Sequence, residues 1–220
     1  MRVSTLPTGS DHGDAVAGDL SHAGHIRNPG GEERSSSESD NALVRAAQRE
    51  PEAFGSLYQQ YLTRMYRYMR VRVTSDEDAA DLTQQLFLRA FDALPRYREK
   101  GLPFSAWLFR IARNLVTDTL RQRKPSSAWA KLPEAAAEEM PDSMNLEAEV
   151  LRDEAVNHLR TLVAALPPDR REMLALRFEA ELTFREIAQV LDKSEAAVYK
   201  QINRILSGLK EQYQETSNER

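Results

Sequence analysis

The sequence predicts an all-α fold of two small helical domains joined by a flexible acidic linker, and three observations predict it. From Asp40 onward, apolar residues recur at three- and four-residue steps, the period of helices with one buried face. Helix-starting pairs and caps, Ser75 with Asp78, Thr183 with Glu186, and Ser194, stand just before such stretches. Between Pro125 and Pro141 the chain turns to Ala, Glu, Ser and Pro without a sustained period, which divides the helical part in two. No strand-length alternation and no solenoid-scale repeat stands out.

The elements follow in order. Residues 1–39 hold six of the nine glycines, three of the four histidines and the serine run Ser35 to Ser37, so they read as a disordered arm. A short helix over about 41–49 precedes Pro51, which suits the first turn of a longer helix reaching about Val73. On that helix Phe54, Leu57, Tyr58, Tyr61, Leu62, Met65 and Met69 form the buried face. Ser75 and Asp78 start the next, with Ala79, Leu82, Leu86, Ala90 and Ala93 inward, and Pro95 stops it. A polar loop through Gly101 and Pro103 leads to a helix over about 104–123 with Phe104, Leu108, Ile111 and Leu115 inward, which completes a domain over 40–124. After the linker, 125–145, comes a second domain over 146–213. Its helices lie at about 146–165 (Leu151, Leu159, Leu162, Val163), 168–178 after the Pro167-Pro168 break, 183–191 and 195–212, and 214–220 is a tail.

Composition narrows the function. With 41% hydrophobic and 29% charged residues the chain has material for packed cores. No apolar run approaches the ~18–20 residues of a membrane helix, and Met1 to Leu20 lacks the apolar stretch of a secretory signal, so a cytoplasmic protein without membrane insertion is expected. The absence of cysteine excludes disulfides, thiol nucleophiles and cysteine-held metals. His12, His22 and His25 are irregularly spaced, which favours a solvated tail over a metal site, and no cofactor is expected. An enzyme is disfavoured, because the helical part holds one histidine, His158, and no glycine-rich phosphate loop. The net charge of -4 conceals segregation: Arg64 to Lys124 carries 13 basic and 7 acidic residues, whereas Ser126 to Glu154 carries 2 and 8.

Two constellations point to nucleic acid. The stretch from Leu182 to Arg204 contains two capped helices joined by a short turn, with small Ala188 where they must approach, which is the grammar of a helix-turn-helix. At 100° per residue, Val198, Ile202, Ile205 and Leu209 face inward while Ala196, Tyr199, Lys200, Asn203 and Arg204 face out, available to base edges and phosphates. A hairpin used only for packing would show the same inner stripe. In the helix over 104–123, Arg110, Arg113, Asn114, Thr117 and Arg121 share an arc of about 100°. Trp107 lies at its border, and Tyr97, Phe104 and Trp107 surround the preceding loop. Aromatics beside a basic stripe suit a single strand, whose bases stack while Arg tracks the backbone. A solvated Arg-rich helix over a core Trp is the competing account.

In this order the blocks resemble the extracytoplasmic-function (ECF) sigma factors of the sigma-70 family over roughly residues 41–213. The run Asp78-Ala-Ala-Asp-Leu-Thr-Gln-Gln-Leu-Phe-Leu-Arg-Ala-Phe is similar to that family's region 2.2, and Phe104-Ser-Ala-Trp-Leu-Phe-Arg-Ile-Ala-Arg-Asn to regions 2.3 and 2.4. Ala165-Leu-Pro-Pro-Asp-Arg-Arg-Glu with the helix-turn-helix resembles region 4. The resemblance implies a non-enzymatic subunit that gives core RNA polymerase its promoter recognition, melting and initiation, for a stress or envelope-response regulon under an anti-sigma factor. It implies that Asp78, Asp81, Gln84, Gln85 and Phe87 bind polymerase. Tyr97, Trp107, Arg110, Arg113, Asn114, Thr117 and Arg121 would hold the single-stranded minus-ten element, with Tyr97 and the 98–105 loop framing a pocket for a flipped base. Ala196, Tyr199, Lys200, Asn203 and Arg204 would read the duplex minus-35 element. Glu134, Glu138, Glu139 and Asp142 of the linker would lie in the polymerase cleft as a mimic of nucleic acid, unless they are ordinary solvated linker charges. Tyr199 and Gln201 stand where many members carry basic residues, and Asp192 stands at a turn position often held by Gly. The alternative is a helix-turn-helix regulator that binds duplex DNA without joining polymerase.

Overall fold

The computed structural model of the chain describes residues 32–98, 101–122 and 146–218, with side chains over 39–98, 101–122 and 153–216. The expectations for residues 1–31, including the three histidines, and for the linker carboxylates lie outside them. The described residues form eight α-helices and no strands.

Helix α1 spans Glu32–Arg49 and so begins well before the expected start near residue 41. A single 3-10 turn at Pro51–Ala53 leads into α2, Phe54–Arg70. Ser75, in extended backbone, accepts the Asp78 N–H at 3.1 Å and opens α3, Asp76–Ala93, whose first turn carries Asp76, Glu77 and Asp78 against the positive end of the helix dipole. Pro95 sits in the 3-10 turn Leu94–Arg96 that ends it, and α4 runs Phe104–Gln122. Leu57, Tyr61, Met65, Tyr68 and Met69 of α2 are buried with Leu82, Leu86 and Ala90 of α3 and Leu108, Phe109, Ala112 and Leu115 of α4. Edge-on ring pairs, Tyr61 with Phe104 and Tyr68 with Phe109, both 5.5 Å apart, fix how α4 lies across α2. Tyr58, expected in this core, is instead 37% exposed and leans on Phe87 at 4.6 Å.

The second domain consists of α5 (Leu146–Ala165), α6 (Pro168–Leu174), α7 (Phe184–Leu191) and α8 (Glu195–Asn218). Leu159, expected inward on α5, is exposed, and the side chain of Leu151 lies outside the described residues. A wide π turn over Ala175–Glu179 follows α6, where a continuing helix was expected. The capping box forms: Thr183 Oγ1 accepts the Glu186 N–H at 3.2 Å and Glu186 accepts the Thr183 N–H at 2.9 Å. Asp192 takes φ 55° and ψ 50°, the left-handed conformation that ends α7, which an Asp tolerates better than most residues. Lys193 N–H then reaches back to the Ala188 carbonyl, and buried Ala188 leaves room for α8. Val198, Ile202, Ile205 and Leu209 are buried as the helical period requires. The two domains pack on one another, α4 against α7 and α2 against the π turn.

Candidate nucleic-acid and polymerase interfaces

The outer face of α8 is where the sequence places it. Ala196, Tyr199, Lys200 and Arg204 are exposed and Asn203 is partly so. The Tyr199 ring stands edge-on to buried Phe184 of α7 at 5.2 Å, so half of it remains open beside Lys200. The capped turn, the left-handed Asp192 and the apolar underside together set the position of this face.

The α4 stripe is divided, contrary to the expectation of a continuously open face. Asn114 and Arg121 are exposed and Thr117 partly so, but Arg110 and Arg113 already have partners in the second domain. Arg110 Nε donates to the Gln189 carbonyl at 2.8 Å, and its Nη2 donates to the same oxygen. That carbonyl lies in the last turn of α7, where backbone oxygens run out of helical donors and carry the negative end of the dipole. Arg113 Nε donates to Glu172 Oε1 at 3.1 Å. Arg110, Arg113 and Asn114 line an open cleft of about 300 Å³ with Val190 and Asp192 opposite.

The aromatic group beside the stripe also differs from expectation. Tyr97 is only 6% exposed, its ring 5.0 Å from Trp107 and 5.7 Å from Phe104, and its hydroxyl donates to the Leu102 carbonyl at 2.9 Å. It therefore supports the loop from within, packed between Phe104 and Trp107. Gln48 of α1 donates to the carbonyls of Leu94 and Tyr97, both at 2.9 Å, and fixes where the loop departs. Trp107 remains partly exposed.

On α3, Asp81, Gln84 and Gln85 are exposed and Asp78 partly so, whereas Phe87 is buried against Tyr58 and Phe54. The apolar groups that face solvent are Leu88, 67% exposed, and Phe91, 41% exposed, the latter edge-on to Phe54 at 5.2 Å. Neither was singled out from the sequence. The signal was present, since Leu88 falls outside the inward set of Ala79, Leu82, Leu86 and Ala90.

Glu172 closes the run from Ala165 that resembles region 4, but its contact with Arg72, 100 residues away, has no local signal in the sequence. Both are buried, and Arg72 Nη1 donates to Glu172 Oε1 at 2.9 Å and to the Tyr68 hydroxyl at 3.3 Å. Burial pushes the Tyr68 hydroxyl up to about 12, so it keeps its proton beside the carboxylate.

Residues 57–125 match the family model of Sigma-70 region 2, and residues 157–209 match that of Sigma-70, region 4. The chain is 35% identical over 153 residues to the ECF RNA polymerase sigma factor SigD of Mycobacterium tuberculosis, covering 66% of this chain and 70% of that one. The chain belongs to the ECF sigma factor family. It is also 38% identical over 173 residues to the ECF RNA polymerase sigma factor BldN of Streptomyces coelicolor, covering 75% of this chain and 64%, just under two thirds, of BldN. The solved structure of CnrH in complex with the cytosolic domain of CnrY covers 78% of this chain and 94% of CnrH, at 26% identity and a TM-score of 0.56. In ECF sigma factor terms, α2–α4 carry region 2, and the end of α5 through α8 carries region 4. Among the described residues no helix is long and apolar enough to cross a membrane.

Proposed function

We propose that this ECF sigma factor is a non-enzymatic, cytoplasmic specificity subunit that binds core RNA polymerase and directs promoter recognition, melting and initiation. The observation that carries the reading is the exposed α8 face, Ala196, Tyr199, Lys200, Asn203 and Arg204, on a capped helix-turn-helix in the same chain as a region 2 bundle. Region 4, about 146–213, would read the minus-35 duplex with that face. Region 2, about 40–124 with α1 leading into it, would take the minus-ten strand on Arg110, Arg113, Asn114, Thr117 and Arg121, with Trp107 as the stacking ring. On this reading no nucleotide is hydrolysed to open DNA, so melting would rest on holding the separated strand, and stacking contributes ~1–3 kcal/mol per base. Asp78, Asp81, Gln84 and Gln85 would dock on polymerase together with the exposed Leu88 and Phe91, while Phe87 shapes that surface from below. An anti-sigma factor governing a stress or envelope-response regulon completes the proposal; a complex with the cytosolic domain of CnrY is the form in which CnrH was solved.

The test is transcription from purified components. The full chain added to core polymerase on genomic DNA should yield transcripts with defined start sites that core polymerase alone does not make. If no new start site appears and the chain fails to copurify with polymerase, the reading is wrong.

A further inference from the structure

Phe184 opens α7 directly after the Thr183 cap and is 2% exposed. The Arg177 guanidinium lies over its ring, 5.0 Å from the centroid, and Arg177 Nη1 donates to the Leu182 carbonyl at 2.9 Å. Phe184 in turn meets the Tyr199 ring edge-on, with the centroids 5.2 Å apart and the planes at 87°. An edge-to-face pair gains from the ring quadrupoles beyond the area it buries, so this contact favours one placement of the tyrosine. Tyr199 is nonetheless 48% exposed: part of the ring is seated on α7, and the rest stands out of the α8 face. Its neighbours on that face are of another kind. Ala196, one turn earlier, carries only a methyl group, and Lys200 ends in a point charge on a flexible stem, which suits a phosphate. Of the residues placed on that face, Ala196, Tyr199, Lys200, Asn203 and Arg204, Tyr199 is the one with a large hydrocarbon surface.

We propose that Tyr199 is a specificity-determining residue that recognises the 5-methyl group of one thymine in the upstream promoter element. This rests on the reading of the α8 face as the one that meets the minus-35 duplex. In the major groove a T·A pair is set apart by its C5 methyl, an apolar group that needs an apolar surface to read it. That surface has to be in place before DNA arrives, because ordering a free side chain on binding would consume the gain. Tyr199 meets both conditions, its ring being half open and its position set by Phe184. Asn203, four residues on, lies on the same strip and is partly exposed, and its amide is the group that pairs with adenine N6 and N7. The two side chains together suit a thymine with an adenine close by. A ring that served only to pack α8 on α7 would be indifferent to the methyl.

Start sites obtained with core polymerase and the full chain on genomic DNA define promoters and their upstream elements. On synthetic copies of one such promoter, each thymine of the upstream element, on either strand, is replaced singly by 2′-deoxyuridine, which removes the methyl and keeps the pairing. With wild type, one replacement should lower initiation about three- to tenfold, the scale of burying one methyl-sized group, and the others should change it less than about twofold. Tyr199→Ala should initiate equally on the thymine and deoxyuridine templates, whereas Tyr199→Phe, which keeps the ring, should retain the wild-type ratio. That ratio does not depend on how much of the variant is folded. A second measurement converts the sensitive T·A pair to C·G: 5-methylcytosine at that position should raise initiation over plain cytosine with wild type and not with Tyr199→Ala. An upstream element without a methyl-sensitive thymine, or an unchanged template ratio in Tyr199→Ala, overturns the proposal. If no start site appears at all, the sigma-factor reading falls, and the same replacements in a duplex selected by the chain alone from a random library decide the ring contact separately.

Discussion

The polar faces of α4 and α8 are built alike and end differently. Each helix has an apolar stripe at three- and four-residue steps and a basic, hydrogen-bonding strip on the other side. On α8 the strip points to solvent and Lys200 and Arg204 are open, whereas on α4 Arg110 and Arg113 are held by Gln189 and Glu172 of the other domain. A helical period determines which side is polar; it does not determine what that side meets. The difference is one of access: Lys200 and Arg204 are open to solvent, whereas a ligand for Arg110 or Arg113 would have to compete with Gln189 or Glu172.

The largest change that breaks the comparison removes one of its sides. Ile202 is fully buried beneath the α8 face, and Ile202→Ala should destabilise region 4 by ~2–5 kcal/mol, the range for truncating a large core residue. Urea melts followed by circular dichroism measure it, and duplex binding should be lost in the same variant. A cost near zero would mean that α8 is not seated by this stripe.

Next in size are changes that leave the fold intact. Arg204→Ala should weaken binding of the isolated chain to a minus-35 duplex by ~1–3 kcal/mol if it reads a base, and Lys200→Ala should lower the salt slope of binding by about 1 if it meets a phosphate. Arg110→Ala should leave duplex affinity of the isolated chain unchanged, because that guanidinium is already committed to Gln189. Equal losses in all three variants, measured by anisotropy across a salt series, would remove the distinction between the two faces.

These outcomes turn on features of unequal visibility in the sequence. The α8 face, the Thr183–Glu186 box and the left-handed Asp192 were legible because each depends on residues within four positions of one another. The core stripe of α2 was legible for the same reason, apart from Tyr58, which lies at the edge of the stripe where a neighbouring aromatic, Phe87, decides its exposure. The partners of Arg110 and Arg113 stand 79 and 59 residues away, and no local period carries that information. The burial of Tyr97 was not legible for a related reason. Its position beside a polar loop suggested an open ring, but Phe104 and Trp107 fold over it and Leu102 takes its hydroxyl. Glu172 belongs to the run after two prolines that resembles region 4, but only the packing of α6 against region 2 turns it inward.

The smallest expected effect concerns how α1 supports the α2 side of this contact. Asp40 is buried and accepts hydrogen bonds from the Tyr61 hydroxyl and Gln60 Nε2, and Tyr61 in turn lies under Arg64, 5.4 Å from its ring centroid. Burial holds the Asp40 carboxyl above its ordinary value, partly offset by those hydrogen bonds, and the Tyr61 hydroxyl, raised further still, stays protonated throughout the working range. An acid raised in the folded state favours folding below its unfolded value of 3.8 and loses that contribution as pH climbs through the raised value. Wild-type stability should therefore carry a small downward term as pH rises above 3.8 that Asp40→Asn lacks. The amide oxygen of Asn still accepts from Tyr61, and Gln60, which is exposed, can turn its own amide to accept from the new NH₂. Relative to wild type, Asp40→Asn should gain stability as pH rises above that value, by about 1 kcal/mol or less, the scale of a single net hydrogen bond. Parallel urea melts at pH 4.5 and 7 test it: identical pH slopes would show that burial of Asp40 is fully compensated, and α1 would then support Tyr61 and Arg64 at no electrostatic cost.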